Sequence, residues 1–146
     1  MEKSCIFYAS KYHLSLILLE YLKNKNTKQY TVNTFLENGI EEEIKKLKKK
    51  YNIISNDIYE INFKKTKTIL DKTIELNTNT IFIVGGDNNY IKEANTYIKN
   101  KIFNCHTKKI EIINCFNYKQ RKEYIDKILK ENNKILYTTG SKQLTN

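Results

Sequence analysis

Apolar and polar residues follow two regular patterns along this chain, and the clearest example lies near its middle. Four apolar, strand-forming residues, Ile81 to Val84, end abruptly in two glycines, and a polar cluster follows them. Apolar residues then recur at helical spacing from Tyr90 to Ile98. A buried strand, a tight turn and an amphipathic helix in this order form the unit from which parallel α/β sheets are built. The pattern therefore predicts an α/β protein.

The same periodicities predict six strands that alternate with five helices. The strands are predicted at 5–9, 28–36 (with the strand-forming run 30–36), 57–63, 80–85, 108–115 and 134–138. The helices are predicted from a Ser10 cap to 24, at 40–51, at 65–77, at 88–101, and from an Asn117 cap to 132. We expect the last helix to turn Tyr118, Ile125, Ile128 and Leu129 inward. We expect Thr139-Gly140-Ser141 to form a turn before a polar tail.

Alternating strands and helices require crossover connections, which give a mostly parallel sheet with helices on both faces. The expected fold is a three-layer, Rossmann-like α/β fold with six strands, formed by residues 1–146 as a single domain. The most apolar strands, 5–9 and 80–85, should be central because both of their faces must be covered. This reasoning predicts the order 57–63, 30–36, 5–9, 80–85, 108–115, 134–138.

A ligand crevice is expected beyond the carboxyl ends of the strands, where the strand order reverses. In the predicted order this crevice lies between strands 5–9 and 80–85. The residues expected to bind the ligand are Ser10, Lys11, His13, Gly85, Gly86, Asn88, Asn117, Thr139, Gly140 and Ser141. The expected ligand is a small molecule of nucleotide type, with cyclic oligonucleotides among the candidates. No metal and no resident cofactor are expected.

Several of these residues also have a purely structural explanation. Gly85 and Gly86 suit the close approach of a ligand, or they simply permit a tight turn between strand and helix. They match no dinucleotide or triphosphate fingerprint. Asp87 or Asn88 can cap the helix that follows. His13 lies in the first turn of a helix, where the dipole favours a neutral ring, so it is a candidate base, a hydrogen-bonding group or a packed side chain.

Catalysis is an open alternative, with His13 and Asp87 as the candidate catalytic residues. No serine or carboxylate stands at a position that ties it to His13, so a hydrolase triad cannot be argued. The alternatives to a small-ligand-binding domain are therefore a nuclease or phosphodiesterase, and a non-catalytic protein-interaction module.

The net charge of +10 invites a nucleic-acid interpretation. Almost every cation is lysine, however, and Arg121 is the only arginine. The abundance of Asn, Lys, Ile and Tyr is typical of an AT-rich genome. In helix 40–51 the acidic residues come first and the lysines later, which complements the helix dipole. A nucleic-acid partner is therefore less favoured than a small ligand, to which Lys11 or Arg121 can supply charge.

The cysteines, the apolar runs and the start of the chain indicate the cellular location of the protein and the state of its thiols. Three cysteines show no metal-ligand spacing, and Cys5 and Cys115 fall in strands, where a thiol serves as a small apolar group. Cys105-His106 is an adjacent pair and does not predict a zinc site. No apolar run approaches the roughly 20 residues that span a bilayer. The start of the chain has no signal-peptide layout. A cytoplasmic protein without membrane contact is expected.

Two segments resemble known families. The run from Ile81 to Ile91 resembles the strand and loop of NYN/PIN-like ribonucleases, in which a metal-binding aspartate follows a glycine, and Asp87 would match it. That family also places an aspartate after the first strand, where this chain has Ala9-Ser10. Separately, Ser10 together with Thr138 to Lys142 is similar to the loops of CRISPR-associated Rossmann-fold sensor domains. That resemblance implies a homodimer that binds cyclic oligoadenylates.

Overall fold

The computed structural model describes residues 1–24, 30–36, 42, 46, 49–50, 79–102 and 109–144. The predicted strand 57–63, the predicted helix 65–77 and the Cys105-His106 pair lie outside these residues. Four described residues fall within the predicted helix 40–51, and all of them are helical and exposed: Glu42, Lys46, Lys49 and Lys50. Their exposure agrees with the interpretation of this helix as a solvated, charged one.

The described residues form six strands and three long helices. The strands are β1 (Glu2–Tyr8), β2 (Tyr30–Leu36), β3 (Asn79–Gly85), β4 (Ile110–Asn117), β5 (Lys134–Tyr137) and β6 (Gly140–Gln143). The helices are α1 (Lys11–Asn24), α2 (Asn88–Ile102) and α3 (Tyr118–Glu131). Each predicted element that falls on these ranges is present, with small shifts at its ends. None of the described helices has the length and apolarity to cross a membrane.

The strands form one sheet in the order β2-β3-β4-β1-β5-β6. All neighbouring pairs from β2 to β5 are parallel, and β6 pairs antiparallel with β5. The architecture is therefore α/β with a mostly parallel, mixed six-stranded sheet. The alternation of strand and helix patterns predicted this class, but it did not predict the antiparallel edge.

The predicted strand order is wrong. β1 lies between β4 and β5, whereas the prediction placed it between strands 30–36 and 80–85. The apolarity of the strands did not predict their order correctly, because Glu111 and Asn114 give β4 the polar pattern of a peripheral strand. Both side chains are buried, with exposed fractions of 4% and 2%, and β4 occupies a central position. A parallel connection can span several strands, so the path from β1 through α1 to β2 reaches the far edge.

The carboxyl-terminal turn is also different from the prediction. Thr138 and Thr139 form a two-residue turn, and Gly140 then begins β6 instead of a polar tail. Gly140 has a φ of 141°, a conformation that glycine adopts without steric cost. β6 consists of Gly, Ser, Lys and Gln, all exposed, so it has no apolar alternation by which the sequence could indicate a strand. Among the described strands it pairs with β5.

Helices cover both faces of the sheet because successive strand residues point in opposite directions. Ile81 and Ile83 belong to the core under α1, whereas Phe82 and Val84 belong to the core under α2 and α3. The α1 side chains in the first core are Leu14, Ile17, Leu18 and Leu22. The helical side chains in the second core are Tyr90, Ile91, Ala94, Ile98, Ile102 and Ile128.

Candidate functional site

The carboxyl ends of β4 and β1 meet where the connections of the sheet change direction. The helix after β1 packs on one face, and the helix after β4 packs on the other. Tyr8 pairs in register with Asn117, so the two strands end level with each other. Open α/β sheets bind ligands at such a switch point. We call residues 9–13 and 117–119, which follow these strands, the switch-point loops.

The prediction that β1 and β3 form the two sides of the crevice is wrong, because β4 lies between these strands. The two strands are therefore separated by two strand spacings, about 10 Å. The Ser10 loop lies beside Asn117 instead, and the Gly85-Gly86 loop lies one strand beyond. All of these loops remain on the same edge of the sheet, because the strands that precede them are parallel.

Ser10 and His13 are joined by backbone hydrogen bonds that start α1. The His13 N–H donates to Ser10 Oγ at 3.1 Å, and the Ala9 N–H donates to His13 Nδ1 at 3.1 Å. Ser10 is thus the N-cap that the sequence predicted, and His13 returns a bond to the chain before the helix, as in a capping box. Both side chains therefore have a structural task at the edge of the sheet.

The bond to Nδ1 decides what the His13 ring can do. An N–H donor can bond only to an unprotonated nitrogen, so in the neutral ring the proton lies on Nε2. Nε2–H is then a hydrogen-bond donor, and the accepting nitrogen is already engaged by Ala9. This geometry supports His13 as a donor to a ligand more than as a general base. Its catalytic role stays a prediction.

Asn117 and Asp87 both cap helices at this edge. The Lys119 N–H donates to Asn117 Oδ1 at 3.0 Å, at the start of α3. The Tyr90 N–H donates to Asp87 Oδ1 at 2.8 Å, and the Ile91 N–H donates to the Asp87 carbonyl at 3.0 Å. The capping explanation that the sequence left open for Asp87 is thus confirmed. One carboxylate oxygen of Asp87 is occupied by this role.

The absence of a side chain at Gly85 has a packing explanation. A Cβ built on Gly85 would lie 2.9 Å from Leu36 Cδ2 and 3.4 Å from Cys115 Cβ, on the two neighbouring strands. Gly86 is buried in the turn that follows. For Gly85 the structural explanation is therefore sufficient without a ligand. Asn88 is half-buried at the start of α2 and lines a cavity between α2 and α3.

Three exposed tyrosines at this edge were not among the predicted site residues. Tyr12 is 65% exposed in the first turn of α1, Tyr118 is 46% exposed at the start of α3, and Tyr137 is 46% exposed at the end of β5. The expectation that Tyr118 points inward is wrong. Its position beside the Asn117 cap, before the apolar stripe of the helix begins, was the signal that could have identified it. Exposed aromatic rings are suited to stacking on planar ligands.

The hairpin after β5 lies on the other side of the β1 loop. Thr139 and Gly140 are exposed at the carboxyl edge, and Ser141 lies one residue back because it pairs with Leu136. Since β5 is the direct neighbour of β1, these residues flank the Ser10 loop. Ser10, Asn117 and Thr139 thus lie at the carboxyl ends of three adjacent strands.

The charge of the switch-point loops is positive. Lys11 and Lys119 are exposed, and residues 9–13 and 117–119 include no acidic residue. Asp87, which would repel a phosphate, follows β3 and is therefore separated from the β1 loop by β4. The side chain of Arg121, the other predicted source of charge, lies outside the described part of the structure. Within the described part, the local field at this edge favours an anionic ligand.

The described residues include no group of three or more His, Cys, Asp or Glu side chains that could hold a metal ion. A metal-dependent nuclease needs several carboxylate oxygens around its ion. In these ranges the nuclease interpretation rests on Asp87, which caps a helix.

The thiols of Cys5 and Cys115 are free and buried in opposite faces of the sheet. Burial raises the pKa of Cys5 from 9.0 to about 12. Burial, and to a smaller extent Cys5, raises the pKa of Cys115. The thiolate is the reactive form, so we expect neither thiol to react with a disulfide reagent in the native protein at mildly alkaline pH. Peptide mass spectrometry after labelling measures each cysteine separately.

Labelling in urea is the control for the two thiols, since unfolding should make all cysteines reactive. Fast labelling of Cys5 in the native protein would contradict the prediction.

The raised pKa of Cys5 also has a consequence for stability. The folded state holds the Cys5 proton more tightly than the unfolded state does, so this contribution is complete below about pH 9 and is lost as the pH rises toward 12.

Comparison of this chain with protein-family models, curated proteins and solved structures gives no significant match.

Proposed function

We propose that this protein is a Rossmann-like binding domain for a small, nucleotide-type ligand, which it holds between the switch-point loops. The observation that carries the proposal is the meeting of the β4 and β1 ends, where α1 and α3 begin on opposite faces. The site thus lies one strand away from the crevice that the sequence predicted. It keeps Ser10, Lys11, His13 and Asn117 from that prediction.

The phosphate of the ligand has several partners at this position. Lys11 and Lys119 carry the positive charge. The first turns of α1 and α3 both lie at this edge, and each offers backbone N–H groups and the positive end of a helix dipole. His13 adds the Nε2–H donor. Together these groups favour an anion without a metal ion to bind it.

The base of the ligand has aromatic partners. Tyr12 and Tyr118 are exposed on the two switch-point loops, and Tyr137 is exposed on the adjacent strand. An aromatic ring stacks on the face of any nucleobase and contributes about 1–3 kcal/mol per base. The combination of exposed tyrosine, lysine and helix N-termini favours a nucleotide over a simple inorganic anion at this edge.

The resemblance to CRISPR-associated sensor domains makes cyclic oligonucleotides the first ligands to test. Ser10 and the segment from Thr138 to Lys142, on which that resemblance rests, follow the neighbouring strands β1 and β5. A homodimer would bring two copies of these loops to one extended ligand. Size-exclusion chromatography with light scattering, with and without the ligand, measures that part of the proposal.

The test is calorimetric titration with mononucleotides and cyclic oligoadenylates, in the wild type and in Tyr118→Ala. The expected result is a loss of affinity of about tenfold, because one stacking contact is removed. Tyr124→Ala is the matched control: Tyr124 is 42% exposed on the same helix but lies well beyond its first turn. Ser10→Ala is less informative, since losing the cap by itself reduces stability by about 1 kcal/mol.

Two results would reject this function. The first is the absence of binding and of any thermal shift with every nucleotide, which would favour an interaction module. The second is an equal loss of affinity in Tyr118→Ala and Tyr124→Ala, which would place the ligand elsewhere. Hydrolysis of the ligand, followed by chromatography of the products with and without Mg²⁺, distinguishes a binding domain from a phosphodiesterase.

A further inference from the structure

A second candidate site lies on the face of the sheet that α2 and α3 cover. A cavity of about 400 Å³ opens between these two helices, and Asn114 and Phe116 of β4 contribute to its lining. This volume lies in the range of small-molecule pockets, roughly 300–1,000 Å³. Neither switch-point loop contributes to its lining.

The charged side chains that line this cavity are mostly positive. Lys3 of β1 and Lys92 and Lys99 of α2 are lysines, and Glu131 is the only acidic residue of the lining. No ion pair within 4 Å joins Glu131 to any of the three lysines, as far as the described residues extend. The positive charge of the cavity is thus not neutralised by direct pairing in this part of the chain.

Neighbouring lysines contribute to the lowered pKa of Lys3 and of Lys92. Burial lowers the pKa of Lys3, and Lys99 lowers it further, while Glu131 opposes the change. Lys127 of α3 lowers the pKa of Lys92 through a side-chain hydrogen bond and its charge. An anion between the helices would relieve the repulsion between these lysines. Lys92 and Lys99 are seven residues apart on α2, about 10 Å along the helix axis. This spacing indicates the length of the anion that could contact both lysines.

Three asparagines of the cavity lining, Asn95, Asn114 and Asn132, are buried and hydrogen-bonded to one another. The Asn114 amide exchanges hydrogen bonds with Asn95 at 2.7 and 3.3 Å, and it donates to Asn132 Oδ1 at 3.1 Å. Asn132 Nδ2 donates to the Ile128 carbonyl at 2.7 Å. An amide nitrogen has two hydrogens, so Asn132, which is 2% exposed, keeps one donor that no described residue accepts. A ligand oxygen in the cavity can accept it.

We propose that the cavity between α2 and α3 binds a small anion with two or three linked phosphate groups. The spacing of Lys92 and Lys99 favours such a chain over a single phosphate, and the polar lining favours phosphate oxygens over an apolar group. Lys3 lies deeper and contacts the inner end of the anion. This site is separate from the one at the switch-point loops and does not depend on it.

The experiment is calorimetric titration with tripolyphosphate at constant ionic strength, since exposed charges respond to salt. Lys99→Gln and Lys3→Gln should each weaken binding about fivefold, and Glu131→Gln should tighten it about twofold to fivefold. Lys109→Gln is the matched control, because Lys109 is exposed outside the cavity and the change in charge is identical. It should leave the affinity within about twofold of the wild type.

The opposite signs expected for Lys99→Gln and Glu131→Gln separate this site from a general effect of net charge. An equal loss in Lys109→Gln would overturn the proposal, and so would unchanged affinity in both Lys99→Gln and Glu131→Gln. A loss of tripolyphosphate binding in Lys119→Gln would also overturn it, because the anion would then lie at the switch-point loops. Circular dichroism of each variant checks that the fold is retained.

A parallel titration with ATP identifies the source of the phosphate chain. Equal affinity for ATP and tripolyphosphate, with the same response to Lys99→Gln, supports a site that recognises the phosphates alone. Tighter binding of ATP with that same response supports a nucleotide as the natural donor of the chain. Binding of ATP that ignores Lys99→Gln, together with no binding of tripolyphosphate, rejects the site.

Discussion

Replacing Glu111 with alanine is expected to reduce the free energy of unfolding by about 3 kcal/mol, since it removes one partner of a buried ion pair. Glu111 is 4% exposed and Lys134 is 8% exposed. The Glu111 carboxylate lies 3.8 Å from Lys134 Nζ and accepts a hydrogen bond from Ser4 Oγ at 3.1 Å. It also accepts one from the Tyr21 hydroxyl.

This cluster joins elements that are far apart in the sequence. Lys134 Nζ donates to the Tyr21 hydroxyl at 3.1 Å and lies 2.9 Å from Glu2. Tyr21 belongs to α1, Glu111 to β4 and Lys134 to β5, so the cluster ties a helix to a sheet across three strands. The remaining contact with Glu2 keeps the expected loss at the lower end of the range for buried pairs.

The measurement is urea unfolding of the Glu111→Ala variant, read by circular dichroism and compared with the wild type. Glu2→Gln is the control, because Glu2 is the exposed partner of Lys134, with 42% of its side chain accessible. Its loss should stay below about 1 kcal/mol. Equal losses in the two variants would show that burial of Glu111 does not govern the stability of the cluster. A loss below about 1 kcal/mol in Glu111→Ala would refute the prediction.

Asn114→Ala is expected to reduce the free energy of unfolding by about 2–4 kcal/mol, because it removes one hydrogen-bond partner from each of two other buried amides. Asn114 links Asn95 of α2 to Asn132, which follows α3. Those two side chains are 7% and 2% exposed. A cavity left by the smaller side chain adds to the loss.

Unfolding in urea measures this effect as well, with Asn89→Ala as the control. Asn89 is exposed on the first turn of α2 and should change stability by less than about 0.5 kcal/mol. The double variant with Asn95→Ala should lose clearly less than the sum of the two single losses, because the two amides share their hydrogen bonds. Strict additivity would contradict the network.

Much of the local structure could be predicted from the sequence. The run from Ile81 to Val84 and the helical spacing from Tyr90 to Ile98 located β3 and α2 almost to the residue. The caps Ser10 and Asn117 were also correct, because a short polar side chain before an apolar stripe is a local signal. The carboxyl edge as the place of the candidate site followed from strand direction.

Which strands and side chains lie next to one another at that edge could not be predicted from local sequence signals. Glu111 and Asn114 read as polar interruptions in a strand, and only their partners on α1, α2 and β5 make them compatible with burial. The exposure of Tyr118 depended on where α3 sits on the sheet. β6 has no apolar residue and exists because β5 offers a free edge for pairing.

The sequence by itself thus determined the class of the fold, the bounds of its strongest elements and the edge of the sheet where polar loops collect. These depend on periodicity and capping, which act over a few residues. The tertiary structure alone decided that β4 stands between β3 and β1, and so that Ser10 lies beside Asn117 and not beside Gly86. The reason is that strand order is set by non-local packing and hydrogen bonds between segments about a hundred residues apart, on which local pattern carries no information.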